Sequence, residues 1–156
     1  MSDGIRIRPA GRGDLPRIVE LLQQLSMDGA RREDIGPPLP QRYHDAFELI
    51  ERGPDNVVCA AERDGTIVGT FQLTVIQHLR RIGVKVAEVE SVVVDEALRG
   101  QRIGEAMMRF AIEGARRRGC GHVQLTSNVD RPDAHRFYGR LGFTPGHVGL
   151  RYQLDA

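Results

Sequence analysis

The middle of the chain constrains its fold most. A β-branched run, Val92-Val93-Val94, leads into Arg99-Gly100-Gln101-Arg102-Ile103-Gly104-Glu105, and a helical pattern begins at once. Ala106, Met107, Phe110, Ala111 and Ala115 make one apolar face up to about Arg118, and Gly119 and Gly121 stop the helix. A strand that turns through Gly and Arg into a helix N-terminus suits an anion. The free N–H groups of the first helical turn point outward, and the helix dipole adds positive potential there. Gly100 and Gly104 let a ligand approach the backbone, and Arg99 and Arg102 add charge. The turn is neither a P-loop, which needs Gly-Lys-Ser/Thr, nor a full Gly-x-Gly-x-x-Gly fingerprint. Taken alone, it also fits a plain solvated basic turn.

On either side the pattern alternates between strand and helix. Ile5 and Ile7 alternate with Arg6 and Arg8 as a first strand. Asp14 is placed to cap a helix reaching about Ser26, with Leu15, Ile18, Leu21, Leu22 and Leu25 on one face. Gly29 to Pro40 reads as loop, and Gln41 to Glu51 as a second helix. Val57–Ala61 and Ile67–Ile76 read as strands joined by an Asp64-Gly65 hairpin. Val84–Val94 is the longest strand pattern. His122–Thr126 is the next, Asp133–Leu141 a short helix, and Val148–Leu154 a last strand. Hairpins in the middle and crossovers near the end give a mixed α/β (α+β) domain rather than a doubly wound sheet.

At 156 residues the chain is expected to form one domain, residues 1–156. A net charge of +1 argues against a nucleic-acid surface. No apolar run approaches the roughly 20 residues that span a bilayer, and no secretory signal core opens the chain. The expected setting is the cytoplasm, with no membrane partner. Cys59 lies in an apolar run and reads as a core residue, and no base stands near Cys120 in sequence. His44, His78, His122, His135 and His147 show no metal spacing, so no metal is expected.

Val92-Val93-Val94 followed by Arg99-x-x-Arg102-x-Gly104 resembles the acetyl-CoA signature of the GNAT superfamily of N-acetyltransferases, Arg/Gln-x-x-Gly-x-Gly/Ala. Asp133-Ala134-His135-Arg136-Phe137-Tyr138-Gly139-Arg140-Leu141-Gly142-Phe143 resembles the family's Ala-x-x-Phe/Leu-Tyr-x-x-x-Gly-Phe segment, and Asn128 precedes it. Arg102 stands where the signature carries its first glycine. The resemblance implies a mostly antiparallel central sheet of about six to seven strands, splayed at the cofactor site and flanked by about four helices. It implies that pantetheine pairs with main-chain groups of Val92, Val93 and Val94. The pyrophosphate would then sit on Gly100, Gln101, Arg102, Ile103, Gly104 and Glu105, beside Arg99, and Asn128 would reach the pantetheine arm. The segment from Thr126 to Tyr138 is similar to a bacterial branch that includes aminoalkylphosphonate acetyltransferases.

Amine acetylation needs a neutral amine, donors for the thioester oxygen, and an acid for the leaving thiolate. Glu88 and Glu90, two apart on one strand, share a face, with Ser91 on the other. A solvent-facing acidic pair is the plain alternative. The family often uses an acidic residue on this strand as base, which implicates Glu90 first and Glu88 second, with the Val92 amide as oxyanion donor. Tyr138 aligns with the family tyrosine that protonates the CoA sulfur, and packing beside Phe137 is the alternative role. The reading is transfer from acetyl-CoA to the primary amine of a small molecule by direct attack in a ternary complex, and it leaves a homodimer open. Two alternatives stand: a protein or peptide acetyltransferase, and a non-catalytic acyl-CoA-binding module, which would need neither carboxylate nor Tyr138. The amine is expected to be chosen by the Gly29–Pro40 loop, the second helix and the third strand. Arg31, Arg32, Arg80 and Arg81 are available for an acidic group on it.

Overall fold

The computed structural model describes residues 4–27 and 33–155. In chain order the elements are β1 (Arg6–Pro9), α1 (Leu15–Gln23), α2 (Gln41–Arg52), β2 (Asn56–Arg63) and β3 (Thr66–Gln77). There follow a one-turn α3 (Arg80–Gly83), β4 (Lys85–Val94), α4 (Ile103–Arg117), β5 (Cys120–Leu125) and α5 (Pro132–Arg140). The chain falls into two compact units, 1–124 and 125–156.

Five strands among the described residues form one sheet in the order β1-β2-β3-β4-β5. The first four are antiparallel neighbours. Asp64 (φ 50) and Gly65 (φ 77) make the two-residue turn between β2 and β3, the conformation an Asp-Gly hairpin favours. β5 runs parallel to β4, since a Cβ on Gly121 would meet Val84 while the Gln124 amide meets Glu88. α4 is the crossover that a parallel pair requires.

Both faces of this sheet are covered. Leu15, Ile18 and Leu21 of α1 and Phe47 of α2 form one core cluster with Ala60, Ile67 and Val93. Ala61 and Gly69 pair on the opposite face, where α4 packs. A Cβ on Gly69 would lie 2.7 Å from the Met107 sulfur, so glycine there sets how closely α4 approaches.

One expected strand does not form. The six or seven strands expected become five, because Val148–Leu154 takes no regular structure. Val148, Leu150, Tyr152 and Leu154 do alternate, but they are 87, 94, 88 and 72 % exposed. Alternation supplies a face, and without a paired neighbour a face is not a strand.

Candidate active site

β4 carries the first part of the site. Its register against β3 runs Gly69↔Val94, Thr70↔Val93 and then Gln72↔Glu90, so Phe71 faces two residues, Ser91 and Val92. This is a β-bulge, and Ser91 holds it at φ 53. The bulge takes one residue out of the ladder beside Glu90. It also breaks the alternation: Ser91, expected across the sheet from Glu90, borders a cavity on Glu90's own face. β5 ends one residue past Gln124, which lies beside Glu88. The segment from Ser91 to Val94 therefore extends beyond the last residue of β5. The Val93 side chain is buried in the core, while those of Val92 and Val94 are half-buried.

Glu88 and Glu90 do share a face, opposite Thr74 and Gln72 of β3. Their surroundings differ. Glu88 is half-buried and accepts a 3.3 Å hydrogen bond from Gln124. Glu90 is exposed and has no side-chain partner among the described residues.

The basic turn follows. Gly100 has φ 80, and Arg102, the N-cap of α4, has φ 62, the left-handed region that favours glycine. That backbone accounts for a glycine in the family signature at this position. No side chain caps α4, so its first-turn amides keep their unpaired N–H groups. Arg99 is exposed. The Arg102 guanidinium turns back onto Glu105 at 3.0 Å, and Gln101 accepts from Arg63 at 2.6 Å. Arg102, and after it Arg109, hold the Glu105 carboxyl down at about 2.

Arg17 of α1 and Gln24, the residue that caps its C-terminus, anchor the entry to this turn, and neither was found by sequence reasoning. Arg17 donates to the Ile67 carbonyl at 3.1 Å and to the Asp95 carboxylate, and the Gln24 side chain accepts from the Glu96 amide at 2.9 Å. The Ala97 amide, and the Arg17 guanidinium with it, keep the Asp95 carboxyl below the usual carboxylate range. The partners lie 78 and 72 residues apart, so no local motif signals them.

Between α1, α2 and the sheet lies a cavity of about 120 Å³. The second helix and third strand, expected to choose the amine, contribute Tyr43, Phe47, Ile50 and Gln72 to its wall. Arg80 and Arg81 are exposed on α3 and do not line it. Arg31 and Arg32 lie outside the described residues. Among the described residues no group of three or more His, Cys, Asp or Glu is placed to hold a metal, and no helix is long and apolar enough to cross a membrane.

The second unit carries Asn128 and Tyr138. Asn128 Oδ1 accepts from the Asp130 amide at 2.9 Å, an Asx-type turn, which leaves its NH₂ group for any ligand. Its carbonyl accepts from the Arg131 amide at 3.1 Å and lies 2.8 Å from His135 Nε2. α5 begins at Pro132, the favoured first helical position for proline. Tyr138 packs edge-on against Phe137 (5.1 Å) and Phe143 (5.8 Å). Burial raises its phenol pKa, which keeps the proton on at neutral pH. Packing and proton donation are compatible here, since the rings hold the phenol and leave its hydroxyl to act.

A bulged strand thus runs past its neighbour and leads into an uncapped, Arg-bearing helix start. The model of the Acetyltransferase (GNAT) family matches residues 20–143, and the chain belongs to that family. Aminoalkylphosphonate N-acetyltransferase of Salmonella typhimurium is 35 % identical over 107 residues, 69 % of each chain. Glucosamine 6-phosphate N-acetyltransferase 1 of Oryza sativa subsp. japonica is 35 % identical over 155 residues, 96 % of this chain and 87 % of its own. A solved structure from Bacillus halodurans C-125, described as a transcriptional regulator, superposes with TM-score 0.90 at 39 % identity, over 96 % of this chain and 99 % of its own. Regulation is said only of that protein. The present chain is an acyl-CoA-dependent N-acetyltransferase.

Proposed function

We propose that this enzyme moves an acetyl group from acetyl-CoA to the primary amine of a small molecule, by direct attack in a ternary complex. The relatives' names, one an aminoalkylphosphonate and one a glucosamine 6-phosphate acetyltransferase, support a small amine. The family match runs across residue 124, which supports one catalytic domain over both units. The observation that carries the reading is the bulge at Ser91–Val92, which opens the β3–β4 ladder beside an unpaired Glu90.

Main-chain groups of Val92 to Val94 hold the pantetheine arm as an added strand would be held, and the Asn128 NH₂ group reaches it. The amides from Gly100 to Glu105 and the Arg99 guanidinium hold the pyrophosphate. Bound acetyl-CoA supplies the thioester carbonyl. Glu90 takes the proton of the acceptor's ammonium, directly or through water, and Glu88 is the second candidate for that work. The Val92 amide donates to the carbonyl oxygen as the nitrogen attacks and charge builds there. As the C–S bond breaks, Tyr138 gives its proton to the sulfur and recovers one from the new amide nitrogen. The test is an amine library with acetyl-CoA, following free thiol. Thiol release with small primary amines is expected. Release only with peptides, or acetyl-CoA binding with no acceptor of any kind, contradicts the proposal.

A further inference from the structure

The cavity beside β4 points to the kind of amine, on the proposal above that Glu90 receives the acceptor's nitrogen. Ile18 and Leu22 of α1, Phe47 and Ile50 of α2 and Val58 of β2 line it, with no Lys, Arg or His among the described residues of its wall. Of the polar side chains in its described wall, Tyr43, Thr70 and Gln72 are already engaged. The Tyr43 hydroxyl donates to Glu33 at 2.5 Å and accepts from the Asp34 amide at 3.1 Å. The Gln72 amide donates to Asn56 at 2.9 Å. Gln72 stands opposite Glu90 in the ladder, and Glu90 is followed directly by Ser91, which also borders the cavity. An ammonium head at Glu90 and a hydrocarbon tail inside satisfy this charge pattern. A phosphate on the tail would meet apolar walls, with the Glu33 carboxylate beside Tyr43 and no cation among the described lining residues.

We infer that the acceptor is a cationic alkylamine whose unphosphorylated hydrocarbon arm, of about four to five carbons, fills the cavity between α1, α2 and the sheet. The arm's length scales from a cavity of roughly 150 Å³ that takes a benzene ring. The substrate class thus departs from the phosphorylated and phosphonylated acceptors in the two relatives' names.

Straight-chain primary amines of increasing length share nearly one basicity, so their rates report the tail. At saturating acetyl-CoA, kcat/KM should rise about fourfold per methylene up to about five carbons and then level or fall. 3-Aminopropylphosphonate should be at least about tenfold poorer than butylamine, in line with an unpaired charge in an apolar site. Ala46 lines the cavity from the exposed side of α2, so Ala46→Leu should move the optimum to shorter amines. The Tm rise on adding acetyl-CoA checks that this variant stays folded. A flat series, or a preference for the phosphonate, overturns the inference. So does an Ala46→Leu effect on acyl-CoA chain length with the amine series unchanged, which would assign the cavity to the acyl group. A chain-length trend in amine binding without thiol release would uphold the inferred cavity and overturn the transfer proposal. Neither binding nor turnover of any alkylamine overturns both.

Discussion

The two units of the molecule use their apolar residues in opposite ways. The buried apolar core runs from Ala10 to Ala115, all within the first unit, and includes Leu21, Phe71 and Met107 at 0 to 1 % exposure. The second unit leaves Val129, Val148, Leu150 and Tyr152 84 to 94 % exposed, and its packing centres on Tyr138 between two phenylalanines. Yet both units carry family signature elements, the basic turn in one and the tyrosine segment in the other. The signature marks chemistry, whereas burial marks what holds the fold, and in this chain the two are spread differently.

Substitutions can separate these roles. The largest effect is expected from Glu90→Gln, about 10²- to 10⁴-fold in turnover if Glu90 is the base. Glu88→Gln should cost much less, because that carboxylate already serves Gln124. Rates with both variants and one amine of known pKa check this, and near-parental rates for both would remove the carboxylates from the mechanism. Phe71→Ala, at the centre of the first unit, should cost about 3–5 kcal/mol of stability by chemical denaturation. Tyr138→Phe should lower turnover about 10²-fold, the low end for a proton donor, with acetyl-CoA affinity nearly unchanged, since the ring still packs on Phe137 and Phe143. Lost affinity with turnover per bound cofactor intact would make Tyr138 a packing residue only. Leu150→Ser should change stability by under about 0.5 kcal/mol, and a loss like that of Phe71→Ala would show that the exposed stripe is covered in solution.

What could be read from the sequence follows the same division. The Asp64-Gly65 turn, α2 and α5 fall within about a residue of their expected positions, because turn chemistry and helical periodicity are local signals. The shared face of Glu88 and Glu90 was legible for the same reason. The bulge was not: it rests on left-handed Ser91, and nothing in Glu-Ser-Val marks a serine for φ 53. Arg102 likewise hides a left-handed position that a glycine would have announced. The anchors Arg17 and Gln24 depend on contacts across more than 70 residues. Val148–Leu154 misled in the other direction, since it alternates without a partner.

Acetyl-CoA binding to the turn between β4 and α4 tests the central claim most directly, by calorimetric titration of the parent chain and Arg99→Glu. The parent should bind and gain stability, about 2.7 kcal/mol at a hundredfold excess over Kd. Arg99→Glu should bind at least about tenfold more weakly, as placing a carboxylate beside the pyrophosphate would require. Equal affinity in the two proteins would contradict the assignment of that turn to the cofactor's phosphates.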